Sequence, residues 1–142
     1  MGAEEGKPRT KAAGCFLEYN SHFLILRRSL GEHQEGKWGV PAGRVEQGET
    51  ERDAVIREVR EETGFIIQPD KLEFLQEVIL YFPEKTTDFF AYRVKLESQI
   101  TIVLNPQEHD AHAWVTGEEC FARNDLIRGV RDVLKRVGSM RV

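Results

Sequence analysis

Two short apolar runs stand near the start of the chain, Lys11–Tyr19 and His22–Arg28, separated by the polar pair Asn20-Ser21. Runs of that length, broken by turn-forming residues, predict two strands joined by a tight turn. Ser29–Gly36 is polar and reads as a loop, and Trp38–Val45 leads through a proline and a glycine into a helix. There the period changes. Val55, Ile56 and Val59 recur at helical spacing and form a stripe to be buried. Thr50 is placed to cap the start, with Asp53 as in a weak capping box, and Gly64 to end the helix in a left-handed conformation. Lys71–Phe82 and Thr86–Leu96 return to a strand pattern and predict a hairpin across Pro83-Glu84-Lys85. Ala111–Thr116 reads as another strand and the segment near Gly117–Ala122 as a short helix. Leu126, Ile127, Val130, Val133, Leu134 and Val137 are helically spaced and predict a last helix. Strands interleaved with helices predict an α/β fold, a mixed β-sheet with helices on both faces. A chain of 142 residues fits one domain over 1–142, with the polar segment 1–10 as a flexible start.

The chemistry is concentrated in the first helix. At about 100° per residue, Glu58, Glu61 and Glu62 fall within an arc of roughly 100°. Ala54 lies one turn earlier on that face, where a small side chain leaves room for a ligand. Arg57 borders it and is placed to hold a carboxylate by paired hydrogen bonds. The competing reading is a solvated, charged helix face. Against it, Glu58–Glu61 and Glu58–Glu62 are like-charge pairs, each costing about 0.2–0.5 kcal/mol. Surface helices ordinarily mix signs, and a cation would relieve the repulsion.

The register extends beyond the helix. Gly43, Glu49, Arg57, Glu58, Val59, Glu61, Glu62 and Gly64 match the pattern G-x5-E-x7-R-E-U-x-E-E-x-G-U, with U a bulky apolar residue. In this the segment resembles the box of the Nudix hydrolases. Phe65 fills the last position, where an aliphatic residue is more usual. So many fixed positions make the signal far more specific than a lone glycine motif. Upstream, Trp38, Pro41 and Gly43 resemble the W-x-x-P-x-G lead-in of the family, with Trp38 read as a core anchor.

The resemblance implies a Nudix-type α/β/α sandwich and a metal-dependent pyrophosphohydrolase of the MutT-like branch. Its substrate would be a nucleoside diphosphate linked to another group, cleaved by water attack on phosphorus. Oxygen-only donors suit a hard cation, so Mg²⁺, or Mn²⁺, is the implied cofactor. Carried over residue by residue, Glu58, Glu61 and Glu62 would be the principal metal ligands, with the Gly43 carbonyl beside them and Glu49 in support. Arg57 would orient a glutamate, and Glu58 is one candidate for the base. Downstream, Asn105–Asp110 resembles an acidic loop that in family members reaches the metal, which makes Glu108 a candidate further ligand or base and His109 the second choice.

Substrate contacts are assigned more widely. Arg27 and Arg28 end an apolar strand and are candidates for the phosphates, as is Arg44, directly after the first glycine of the box. Tyr81 stands near where dinucleoside-polyphosphate hydrolases carry a tyrosine, and Phe16, Tyr19, Phe90 and Tyr92 lie on strands that offer a stacking surface. Solvated strand-end arginines and cross-strand aromatic pairs are the alternative reading of each.

Composition narrows the rest. A net charge of −4 gives no general attraction to nucleic acid, so DNA binding is not expected. Two cysteines are too few for a disulfide framework, and a reduced cytoplasmic setting is the simpler reading. No run approaches the roughly 20 apolar residues of a membrane span. A nucleoside triphosphate or related small nucleotide is the first substrate reading. Dinucleoside polyphosphates, ADP-ribose and nucleotide sugars form the second. An RNA 5′-end hydrolase and a non-catalytic nucleotide-binding module are the remaining alternatives. A second copy of the chain, in a homodimer, is the one macromolecular partner kept open.

Overall fold

A computed structural model describes residues 6–138. Strands β1 (Arg9–Tyr19) and β2 (His22–Arg28) are joined as the spacing predicts. Asn20 and Ser21 take φ of 53° and 64°, both left-handed, as a two-residue hairpin turn of matching twist requires. The lead-in divides at Pro41 into β3 (Trp38–Gly39) and β4 (Ala42–Arg44). Helix α1 (Glu51–Thr63) follows, its Thr50 side chain accepting the Asp53 N–H and Gly64 closing it at φ 80°. Then come β5 (Glu73–Tyr81), β6 (Thr86–Lys95), β7 (His109–Val115), α2 (Gly117–Phe121) and α3 (Val130–Val137).

β1 is the spine of a mixed sheet ordered β3-β2-β1-β6-β5. It runs parallel to β6 from Arg9↔Thr86 to Glu18↔Lys95. It runs antiparallel to β4 from Ala12↔Arg44 to Gly14↔Ala42. β5 pairs antiparallel with β6, and β7 with β2. Strand alternation sends successive β1 side chains to opposite faces. Ala13, Cys15 and Leu17 join Val55 and Val59 of α1 in one core. Phe16 joins Phe23, Leu80, Val133 and Leu134 in the other, under α3. The sheet is therefore enclosed between helices, as an α/β/α sandwich should be.

Several expectations are corrected. The strand begins at Arg9, where Arg9 pairs with Asp88 at 2.7 Å, so the expected flexible start cannot reach residue 10; its residues 1–5 lie outside the described ones. Ala54 is fully buried in the α1 core and leaves no room for a ligand, whereas Ile56 is only half-buried. The last helix starts at Val130, not Leu126. Gly129 at φ 95° breaks the backbone there, and Leu126 instead bridges Trp38 of β3. Lys71, the first residue of the expected strand, instead closes a 3-10 turn over Pro69–Lys71, and β5 begins at Glu73.

Candidate active site

The site is built where β4 passes under α1. Gly43 faces the helix, and a Cβ placed on it would collide with the Glu58 carboxyl group, whose farthest atom, Oε1, would be at 2.5 Å. Only glycine lets the Glu58 carboxylate lie flat against the strand. Glu62, one turn on, is buried at 4% exposure, and its Oε1 accepts the Ala42 N–H at 3.1 Å. Burial first, then the neighbouring Glu58 and the charge of Glu108, hold the Glu62 carboxyl well above the usual carboxylate range.

Arg57 organises the opposite side. Its Nε and Nη2 donate to the two oxygens of Glu49 at 2.7 and 3.0 Å. Its Nη1 donates to Glu58 at 2.7 Å and to Glu61 at 3.2 Å, and Nη2 also reaches the Arg44 carbonyl at 3.1 Å. This bidentate grip, with the Glu46 N–H, draws the Glu49 carboxyl down to about 2, and Glu49 first, then Glu58, holds the Arg57 guanidinium charged. Arg57 thus holds Glu58 by one hydrogen bond and is itself held by both oxygens of Glu49. Glu61 stands at the solvent edge, its side chain half exposed.

Of the expected ligands, the structure brings Glu58 and Glu62 together and links Glu61 to Glu58 through Arg57 Nη1, which donates to both. Among the described residues, no three His, Cys, Asp or Glu side chains converge at metal-binding spacing. The residues nonetheless fit a hard cation. Every side-chain donor is a carboxylate oxygen, Gly43 brings backbone beside Glu58, and Glu62 is a buried acid whose anion lacks positive charge. Glu108 is near enough for its charge to raise Glu62, and the Asn105 side chain steadies it at 3.0 Å. His109 beside it is buried, with Nδ1 unpartnered, and burial lowers its pKa to about 4, with the charge of Arg28 adding to the shift.

The substrate candidates are distributed differently from expectation. Arg27 is committed to Asp110 at 2.7 Å and lies 5.7 Å from the centre of the Trp38 ring. Arg28 holds the loop after β2 through the His33 carbonyl and Glu32. Both line a surface cleft with Trp38 and Asp110. Arg44 is exposed, in an open cleft with Arg9, Lys11 and Glu49. Tyr81 is 64% exposed, on the face of β5 away from a partly open cavity on the α3 side of the sheet. Its neighbours Leu80 and Phe82 line that cavity instead, since adjacent strand residues point opposite ways.

That cavity, about 220 Å³, lies on the α3 side of the sheet. Phe16, Phe82 and Phe89 form its aromatic walls, and His33, Gln34, Lys85, Thr87 and Arg128 its polar lining. Ala42 connects it to the carboxylates, lining the cavity while its N–H binds Glu62. Sequence reasoning singled out Tyr81 and missed Phe82. The period-2 series Val78, Leu80, Phe82 was the available signal, since Val78 and Leu80 are core. Gln34 and Arg128 carry no such signal, because 94 residues separate them in sequence.

Comparison with known proteins places the fold. "Nudix hydrolase 2" of Arabidopsis thaliana is 30% identical over 129 residues, covering 84% of this chain and 45% of the relative. The "8-oxo-dGTP diphosphatase" of Escherichia coli is 34% identical over 74 residues, covering 52% of this chain and 56% of the relative. The chain thus spans about half the length of these relatives. The crystal structure of a MutT protein from Methanosarcina mazei superposes with a TM-score of 0.79 at 26% identity, covering 94% of this chain and 95% of the other. No described helix is long and apolar enough to cross a membrane. The model of the NUDIX domain matches residues 8–137. Since that match reaches far beyond the box, through the sheet and into α3, the chain belongs to the Nudix family.

Proposed function

We propose that the chain is an Mg²⁺-dependent pyrophosphohydrolase of a small nucleotide. The observation that carries this reading is the seating of Glu58 against Gly43, beside the buried Glu62. Glu58, Glu61 and Glu62, with the Gly43 carbonyl, would hold the cation. When bound, it would supply positive charge to the phosphate oxygens and lower the pKa of water. Arg57 keeps Glu58 in place, and the Ala42 N–H fixes one oxygen of Glu62. Glu108 enters from the loop before β7 and is the candidate base or further ligand.

The adjoining cavity would take the base. At about 220 Å³ it is smaller than the roughly 300–1,000 Å³ of sites for whole drug-sized ligands, which supports occupation by one ring system. That favours a mononucleotide end over a grip on both halves of a dinucleotide.

The test is turnover of nucleoside triphosphates, dinucleoside polyphosphates, ADP-ribose and nucleotide sugars with Mg²⁺ or Mn²⁺, repeated in H₂¹⁸O to locate the phosphorus attacked. Glu58→Gln is expected to lower kcat by about 10²-fold or more. Activity that survives both EDTA and Glu58→Gln would overturn the proposal. Ligand binding with no metal-dependent release of phosphate would favour a binding module.

A further inference from the structure

The cavity has a polar edge whose chemistry is settled by a single hydrogen bond. Gln34 Oε1 accepts the backbone N–H of Arg128 at 2.9 Å. A backbone N–H can only donate, so the amide cannot be flipped and its nitrogen must point elsewhere. Gln34 lines the cavity, and its Nε2 takes no other partner among the described residues. The residue is held rigidly. Its φ is 56°, a left-handed conformation that glutamine seldom adopts. Three hydrogen bonds keep it there: the Arg128 tether, Lys37 N–H to the Gln34 carbonyl at 3.1 Å, and Arg28 Nε to the His33 carbonyl at 2.9 Å. These contacts hold the Gln34 side chain in one place at the cavity edge.

Of the rest of the polar lining, His33 carries a ring that can donate or accept. Lys85 adds an ammonium group, and no Asp or Glu lines the cavity. Thr87 is engaged with Thr10 at 2.9 Å. Arg128 is committed to Glu84 and lies over the Phe82 ring, its guanidinium carbon 4.3 Å from the centre. Of the polar side chains left unpaired among the described residues, Gln34 Nε2 and Lys85 are donors and the His33 ring alone can accept, beside aromatic walls.

We propose that Gln34, tethered by Arg128, is a specificity-determining residue that donates to a carbonyl on the edge of the bound base. The preferred substrates are then nucleotides of oxo-bases, with 6-oxopurines favoured over 6-aminopurines. An amino group at that edge would face the Gln34 nitrogen donor to donor, leaving both unpaired in a confined site. This inference rests on the cavity being the base end of the proposed nucleotide site.

Inosine and adenosine monophosphates differ at that edge and serve as the probes. Calorimetric titration of the whole chain in EDTA reads binding without requiring hydrolysis, so a failure of catalysis would be seen separately in the turnover assay. Inosine monophosphate is expected to bind roughly tenfold or more tightly than adenosine monophosphate. Gln34→Glu is nearly isosteric and keeps an oxygen for the Arg128 N–H, but replaces the donor with an acceptor. It should abolish or reverse the preference. In the unsubstituted protein, inosine monophosphate should also shift the ¹⁵N–¹H signals of the Gln34 side chain, a readout that does not depend on a variant folding. The same preference before and after Gln34→Glu, equal affinities in the unsubstituted protein, or an unmoved amide signal at saturation would each overturn the assignment.

Discussion

Replacing Gly43 with alanine isolates the contact on which the site depends. The added methyl would stand 2.5 Å or less from every atom of the Glu58 carboxyl group. Ordinary contact between such atoms is about 3.5 Å, so the carboxylate must retreat by about 1 Å or more. Retreat pulls Glu58 from the Arg57 Nη1 hydrogen bond at 2.7 Å and from its place beside Glu62. A misplacement of about 1 Å in a catalytic group costs about 10²-fold in rate. Stability should hardly change. Gly43 is not among the positive-φ glycines, so alanine is accommodated by the backbone, and the clash is with the end of a flexible side chain. Reduced freedom in the unfolded chain returns about 0.4–1 kcal/mol. Gly43→Ala should therefore lower kcat/KM with Mg²⁺ by about 10²-fold while Tm moves by no more than about 4 °C.

Gly48→Ala supplies the contrasting case. Gly48 has φ 84° and nothing within 4 Å of its would-be Cβ. Alanine there should cost about 1–2 kcal/mol of stability and leave the rate intact. Steady-state phosphate release and differential scanning fluorimetry on both variants complete the comparison. A Gly43→Ala enzyme with kcat/KM within about threefold of the parent would refute the reasoning, because the Glu58 position could then not matter to the chemistry.

Glu62 should show a trade between stability and activity. Its folded pKa is raised, so the folded state binds the proton more tightly and loses stability as pH rises above the ordinary carboxylate range. Glu62→Gln should raise Tm at neutral pH in EDTA and depress Mg²⁺-dependent turnover; a lower Tm would contradict the burial argument. His109 acts with the opposite slope. Its pKa falls to about 4 in the buried site, so the unfolded chain binds more protons between that value and about 6.5. Stability should then decline as pH is lowered through that window, by up to about 3 kcal/mol, and urea titrations of His109→Leu should lack that decline. At the cavity, Phe82→Ala should raise KM severalfold, whereas Tyr81→Ala should leave it unchanged; equal effects would mean that the two faces of β5 have been misassigned.

The box was legible from sequence because its register is local. Gly43 through Gly64 lie within one strand–loop–helix unit, where residue spacing alone determines which side chains share a face. The caps at Thr50 and Gly64, the turn at Asn20-Ser21 and the two faces of β1 follow from the same short-range rules. Packing decided what lay beyond that range. Helical spacing placed Ala54 on the acidic face, but the sheet beneath α1 buries that side of the turn completely. Glu61 and Glu62 are neighbours in sequence, yet one is solvent-exposed and the other is sealed against Ala42. The cavity was illegible for the same reason: its walls come from β1, the loop before β3, the β5–β6 hairpin and the start of α3, which meet only when the sheet closes between its helices. Periodicity can say which way a side chain points from its own element, but what it meets there depends on partners brought from distant segments of the chain.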